Sequence, residues 1–174
     1  AEKRTGVCCL TVGCFDMFHR GHAVLLKRLI ADSDKLVVGI HDDESIWLNK
    51  NTKVSEAAMK RFATVQLALR PQDEAFIIFA QDPTPYWIGG KDSRGREVES
   101  MLEKLRSEGW VNFEYKRGDD MLDFPGRKAL EREGVKITFL PYTQGVSATK
   151  RRKMWGLSMQ LLPDAIATGS NCML

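Results

Sequence analysis

Short apolar runs alternate with amphipathic stretches along the first four fifths of the chain. The runs predict strands that are buried on both faces, and they lie at Val7–Val12, Leu36–Ile40, Ala75–Phe79, Val111–Tyr115 and Val135–Leu140. The stretches between several of them carry apolar side chains at helical spacing. Strands that alternate with helices are typical of an α/β protein, so we predict a doubly wound parallel sheet with helices on both faces.

Three amphipathic helices are predicted between these strands. The first covers Ala23–Ala31, the second follows Ser55 as its N-cap, and the third is ended by Gly109. Their apolar stripes are Leu25, Leu26, Leu29 and Ile30, then Met59, Phe62, Val65 and Leu69, then Val98, Met101, Leu102 and Leu105. The turn-rich segment Ala80–Arg96 is predicted to be a loop, either a mobile cover or a plain surface excursion.

Length and composition favour one domain that acts on a small anion. The chain has 174 residues and a formal net charge of +3, a mild excess that suits an anionic substrate and does not indicate a nucleic-acid partner. Periodicity fades after Trp155, so we predict one domain over residues 1–155 and a C-terminal helix or tail over residues 156–174. We expect no integral membrane segment, because the sequence has no apolar run of spanning length.

The positions of the cysteines indicate the redox state of the compartment in which the protein is expected. Cys8 and Cys9 are neighbours on a predicted strand, so their side chains point to opposite faces and cannot pair with each other. No metal-ligand spacing is evident among the cysteines and histidines. We therefore expect a reducing, cytoplasmic location.

One segment, between the first strand and the first helix, combines a glycine with two histidines. Residues 13–22 read GCFDMFHRGH, in which His19 and His22 are three apart and flank Gly21. The first turn of a helix carries unpaired N–H groups and the positive end of the helix dipole, so anions bind there. We predict phosphate chemistry at this helix end. The alternative is that both histidines are ordinary polar residues that cap the helix.

The segments that follow the predicted strands are expected to meet. In a doubly wound sheet, ligands bind beyond the carboxyl ends of the strands, near the point where the strand order reverses. His19, His22, Asp119 and the region of Gly145 all follow strands in the sequence. We expect them to line one crevice.

The sequence resembles the cytidylyltransferase-like nucleotidyltransferases at three points. Residues 13–22 are similar to the signature of that family, and residues 143–150, TQGVSATK, are similar to its Arg-Thr-Glu-Gly-Ile-Ser-Thr-Thr stretch. Between them stand Gly118, Asp119 and Asp120, where the family often has the same three residues. The resemblance covers most of residues 7–152, and it implies a Rossmann-like fold for the catalytic domain.

The resemblance also implies a reaction. The family transfers CMP from CTP to a phosphorylated small alcohol and releases pyrophosphate, assisted by Mg²⁺. The glycerol 3-phosphate type is the best match, with the phosphoethanolamine and phosphocholine types close behind. The family often forms homodimers through the surface near the first motif, so a homodimer is expected.

Catalytic roles follow from the resemblance for two histidines and two lysines. His19 and His22 are expected to donate hydrogen bonds to the triphosphate and to the transition state. Lys50 and Lys53, in a loop after the second strand, stand where the family has a phosphate-binding lysine. The alternative is that both lysines are solvated surface charges.

A larger set is expected to surround the nucleotide. It consists of Gly13, Cys14, Phe15, Asp16, Gly21, Arg61, Gly118, Asp119, Asp120, Gly145, Ser147, Thr149 and Lys150. Several members have structural alternatives: Asp16 can cap the following turn, Asp119 and Asp120 can form a tight turn, and Arg61 and Lys150 can lie on solvated helix faces. The metal ligands are left open.

The chain departs from the family in the third element. Tyr142 stands where the family has arginine, Gln144 replaces glutamate, and Ala148 replaces a hydroxyl residue. Arg117 or Arg151 can supply the missing positive charge. The departures leave two other functions open, namely adenylyl transfer by a related enzyme and nucleotide binding without catalysis.

Overall fold

The computed structural model describes residues 2–16, 20–50, 54, 56–118 and 124–140. The strands are β1 (Arg4–Gly13), β2 (Lys35–His41), β3 (Glu74–Ile78), β4 (Gly90–Lys91), β5 (Glu97–Val98), β6 (Trp110–Gly118) and β7 (Lys136–Leu140). The helices are α1 (Arg20–Ala31), α2 (Asp43–Lys50), α3 (Ala58–Leu67), α4 (Thr84–Ile88), α5 (Met101–Ser107) and α6 (Arg127–Arg132). All five strands predicted from the sequence are present.

A five-stranded sheet in the order β3-β2-β1-β6-β7 forms the centre of the fold. All four of its strand pairings are parallel. The chain runs from β1 outward to β3 and then returns to the other side of β1 with β6. The strand order therefore reverses beside β1, which is where an open α/β sheet forms its ligand crevice.

Helices cover both faces of this sheet, which confirms the predicted fold class. On one face, α1 and α3 pack through Leu26, Leu29 and Val65 against the side chains of β1 and β2. On the other face, α4, α5 and α6 pack against alternate residues of the same strands, with Trp87 and Leu102 among the buried contacts. Side chains on a strand alternate between faces, so each strand serves both cores.

Several local predictions were wrong. Helix α3 begins at Ala58 and has Ala57 at its N-cap position, with no capping bond from a side chain, so Ser55 is not its cap. Helix α2 replaces the loop predicted after β2, and it begins where the Asp42 carboxylate accepts a hydrogen bond from the Ser45 N–H at 2.9 Å. Acidic residues at a helix start stabilise it through capping and the helix dipole.

The segment predicted as a loop at residues 80–96 contains α4 and β4, and β4 forms a small antiparallel hairpin with β5, which follows the segment. Asp92 organises the hairpin, because its buried carboxylate accepts hydrogen bonds from the Tyr86 hydroxyl and from the N–H groups of Arg94 and Arg96. Arg94 in turn forms an ion pair with Glu44 at the start of α2, at 2.8 Å. These contacts hold the segment in a fixed position beside the second and third strands.

Candidate active site

The loop after β1 turns into the crevice at the point of strand reversal. Cys14, Phe15 and Asp16 are all buried there. Phe15 has a φ of 53°, in the left-handed region that non-glycine residues seldom adopt. Such backbone conformations concentrate at functional sites, where the surrounding structure holds them in place.

His22 lies in the first turn of α1, as the sequence predicted. Its imidazole is fully buried and packs against the ring of Phe15, with the ring centroids 5.5 Å apart. Gly21 precedes it in the same turn. The helix N-terminus is thus directed at the crevice with an imidazole beside it, which is an arrangement suited to an anion.

Asp16 connects the β1 loop to the segment before α3. Its Oδ1 accepts a hydrogen bond from the Glu56 N–H at 3.0 Å, and the residue is only 2% exposed. The bond spans 40 residues of sequence. Asp16 therefore fixes the distance between two loops at the mouth of the crevice.

Arg61 is neither on a solvated helix face nor at the protein surface, because its side chain is fully buried. Nη1 donates to the carbonyl oxygens of Cys14 and His41, both at 2.7 Å. Nε donates to the carbonyl of Glu56 at 2.9 Å, and Nη2 forms an ion pair with Asp43 at 2.6 Å. Four of the five guanidinium N–H groups are thus used on protein acceptors. This makes Arg61 a positioning residue that joins the ends of β1 and β2.

His41, at the carboxyl end of β2, was not selected from the sequence. The alternation along β2 puts it on the same face as Val37, which packs with the α4–α6 side. Burial, together with the positive charges of Arg117 and Arg61, lowers the pKa of His41 to about 4, against the opposing effects of Asp42 and the Ala80 backbone. The imidazole is therefore neutral near pH 7.

Arg117 lies on that same face, at the end of β6. Its Cζ is 5.1 Å from the centre of the Phe124 ring. Burial raises the pKa of Tyr115, and the nearby Arg117 opposes that rise. The Tyr115 and Phe124 rings stack at 5.1 Å. A cation is thus held by aromatic groups near the carboxyl end of β6; that Arg117 supplies the charge missing at position 142 stays a prediction.

The structure tests only part of the predicted site. It brings together Gly13, Cys14, Phe15, Asp16, Gly21 and His22, and Gly118 ends β6 beside them in the sheet. Lys50 is the last residue of α2 rather than part of a loop. Outside the described residues lie His19, Lys53, Asp119, Asp120, Gly145, Ser147, Thr149 and Lys150.

Two features are absent from the described part of the chain. No group of three or more His, Cys, Asp or Glu side chains is placed there to hold a metal ion. No helix among those residues is long and apolar enough to cross a membrane.

Comparison with known proteins identifies the family. The model of the cytidylyltransferase-like family matches residues 10–154, and the chain belongs to that family. The ethanolamine-phosphate cytidylyltransferase of Arabidopsis thaliana is 31% identical over 151 residues, which is 85% of this chain and 32% of that protein. The bifunctional protein HldE of Geobacter sulfurreducens is 29% identical over 86% of this chain and 27% of its own length.

A solved structure supports the fold independently. The lipopolysaccharide core biosynthesis protein of Thermoplasma volcanium superposes with a TM-score of 0.51 at 18% identity, over 79% of this chain and 97% of that one. At this identity the likeness concerns the fold alone. The chain spans 32% and 27% of the lengths of the two curated relatives, respectively.

Proposed function

We propose that this protein is a cytidylyltransferase that transfers CMP from CTP to a phosphorylated small alcohol. The observation that carries the proposal is the family match over residues 10–154, in a fold that puts His22 and the N-terminus of α1 at the strand reversal beside β1. That position is the ligand site of open α/β sheets.

The reaction has simple chemical requirements. An oxygen of the acceptor's phosphate attacks the α-phosphorus of CTP, the bond from that phosphorus to the bridging oxygen of the β-phosphate breaks, and pyrophosphate leaves. The nucleophile is already an anion and needs no strong base. Catalysis therefore depends on holding the reactants in line and on stabilising charge on the phosphate oxygens.

Different residues of the described structure are proposed to bind the phosphates and to hold the binding loop in place. His22 and the backbone N–H groups at the N-terminus of α1 are the proposed hydrogen-bond donors to phosphate oxygens. Asp16 and Arg61 hold the β1 loop in place for this contact. His19, Lys50 and Lys53 add further donors, as the family resemblance implies. Mg²⁺ belongs to the same proposal: magnesium in nucleotide sites is held largely by substrate phosphates with one or two carboxylates, so a three-residue protein cluster is not required.

We further propose phosphoethanolamine as the acceptor. The sequence alone favours glycerol 3-phosphate, with phosphoethanolamine close behind. The relative from Arabidopsis thaliana, which is named for ethanolamine phosphate, matches 85% of this chain. That similarity moves phosphoethanolamine to first place.

The test is pyrophosphate release from CTP with Mg²⁺ and each acceptor in turn: phosphoethanolamine, phosphocholine and glycerol 3-phosphate. Faster pyrophosphate release from CTP with phosphoethanolamine than with phosphocholine or glycerol 3-phosphate supports the proposal. Release with ATP alone would redirect the assignment to adenylyl transfer. Nucleotide binding without release from any pair would identify a binding module that has lost catalysis.

A further inference from the structure

Three consecutive carboxylates stand where β2 passes into α2, at Asp42, Asp43 and Glu44. Like charges that are crowded together repel one another, so cations are needed between them. The Asp43 carboxylate forms an ion pair with Arg61 of α3. The other two carboxylates face Arg94, which belongs to the loop of the β4–β5 hairpin. Two cations from different parts of the chain therefore neutralise the start of α2.

A single nitrogen of Arg94 serves both of these carboxylates. Its Nη2 lies 2.8 Å from Oε2 of Glu44 and 3.7 Å from Oδ2 of Asp42. The side chain of Arg94 is 30% exposed and that of Asp42 is 14% exposed. Partial burial reduces the screening by water and salt that weakens ion pairs at the surface. Arg94 therefore links the hairpin to the first turn of α2.

The Asp42 carboxylate uses both of its oxygens at this junction. Oδ1 accepts hydrogen bonds from the Ser45 N–H, at 2.9 Å, and from the Ser45 hydroxyl, whereas Oδ2 faces Arg94. The backbone N–H of Asp42 donates to the carbonyl oxygen of Ile78, at the end of β3, at 3.0 Å. The cap of α2 is thus held from several sides, and Arg94 provides the contact that comes from the hairpin.

The hairpin is itself anchored, so Arg94 is presented from a fixed support. The buried Asp92 carboxylate accepts a hydrogen bond from the Arg94 N–H at 2.9 Å. Nη2 of Arg96 donates to the carbonyl oxygen of Phe79 at 2.9 Å, and the Phe79 N–H donates to the Tyr86 hydroxyl at 3.1 Å. These bonds attach the hairpin to the chain just beyond β3. A guanidinium held in this way can define the position of its partner.

We propose that Arg94 is a positioning residue of the nucleotide site, an inference that rests on the proposed function. Helix α2 has eight residues and is therefore about 12 Å long. It ends at Lys50, for which the family resemblance implies a contact with phosphate. Through its ion pair with Glu44, Arg94 fixes the first turn of α2 and thereby the direction in which the helix carries Lys50. A tilt at the first turn displaces the far end of the helix most.

Steady-state kinetics with CTP and phosphoethanolamine separate this role from a purely structural one. In Arg94→Ala we expect the KM for CTP to rise about three- to fivefold and kcat to stay within about twofold, because Lys50 is proposed to bind phosphate before and during transfer alike. Loss of folded protein would lower kcat and leave KM unchanged. Arg94→Lys keeps the charge and should recover most of the affinity. Lys91→Ala removes an exposed cation of the same hairpin and is the matched control.

A double-mutant cycle tests the partner that the proposal names. If Arg94 acts through Glu44, adding Glu44→Gln to Arg94→Ala should raise the KM for CTP no further. Effects of the two single changes that multiply in the double variant would overturn the inference. A KM for CTP in Arg94→Ala equal to that of the native chain would overturn it as well.

Hydrogen exchange tests the same link without turnover. In Arg94→Ala the peptide that covers α2 should exchange about three- to fivefold faster, whereas in Lys91→Ala it should exchange at the native rate. Equal exchange of α2 in Arg94→Ala and in the native chain would contradict the inference. Absence of pyrophosphate release from the native chain with every pair of substrates would instead contradict the proposed function, and the exchange of α2 would still show whether Arg94 holds this helix.

Discussion

The guanidinium of Arg61 donates a hydrogen bond to the carbonyl oxygen of Cys14 across 47 residues of sequence, at 2.7 Å. Cys14 belongs to the loop that carries the first motif, and Arg61 belongs to the helix between the second and third strands of the sheet. The same nitrogen also binds the carbonyl of His41. One cation therefore sets the relative positions of two strand ends that contribute to the crevice.

Replacing Arg61 with lysine should destabilise the fold. An ammonium cannot reach four acceptors in different directions, and buried carbonyls of Cys14 and His41 would lose their donors. We expect a loss of about 2–4 kcal/mol in the free energy of unfolding, measured in urea. Lys60→Ala, at an exposed position of the same helix, is the control and should change little. Normal stability together with a raised KM for CTP would instead show that Arg61 contacts the nucleotide.

Replacing His22 should act on catalysis. His22→Asn shortens and reorients the donor that we propose for the phosphates, so we expect kcat for pyrophosphate release to fall about 100- to 1000-fold. Val24→Ala, at a residue 57% exposed on the same helix, should leave the rate unchanged. Urea unfolding of both variants separates the chemical effect from loss of folded protein. An unaltered kcat in His22→Asn would remove this imidazole from the mechanism.

Acid should weaken the fold through His41. The pKa of His41 is lowered to about 4 by burial and by nearby positive charge, whereas an exposed histidine titrates near 6.5. Between these values the unfolded chain binds a proton that the folded chain does not, so stability is complete above about pH 6.5 and falls as the pH drops towards 4. From this one group, the free energy of unfolding should change by up to about 1.4 kcal/mol per pH unit. In His41→Gln, the free energy of unfolding, measured in urea, should change less with pH over this range. An equal change would show that His41 is not the group responsible.

Removing the Asp92 carboxylate should loosen the hairpin of β4 and β5. The N–H groups of Arg94 and Arg96 both donate to Asp92. In Asp92→Ala these amides should exchange hydrogen faster, as followed by mass spectrometry of the peptide that spans the hairpin. Glu97→Ala, at an exposed residue of the same hairpin, is the matched control. Equal protection in Asp92→Ala and the native chain would mean that other contacts hold the segment.

Restoring the family's arginine in Tyr142→Arg should raise the affinity for CTP. A guanidinium that binds a triphosphate contributes charge-assisted hydrogen bonds that a phenol cannot. Titration calorimetry with CTP measures the change directly. Unchanged affinity would show that another residue, such as Arg117, already provides that charge.

The sheet could be predicted from the sequence because its strands are nearly continuous apolar runs that alternate with helical patterns. Helix α4 could not be predicted, since it has only five residues and contains a proline. Such a short element has no periodicity to detect, and the burial of Tyr86 and Trp87 stabilises it from outside.

The candidate site was predictable where one local segment carries it. The loop after β1 and His22 follow each other directly in the sequence, so strand, turn and helix could be read together. Arg61 and His41 depend on partners that are distant in sequence, which local spacing does not reveal. A histidine at the end of the second apolar run was the one available sign of His41.

The position of β1 in the middle of the sheet has a consequence for biosynthesis. Its neighbour β6 is far away in the chain, and the hydrogen bond from Thr11 to the carbonyl of Lys116 spans 105 residues. On the ribosome, the backbone edge of β1 that pairs with β6 therefore stays unpaired until the chain past Gly118 has emerged. Parallel pairing over such distances is slow, so nascent chains that end before Trp110 should be the species that chaperones capture.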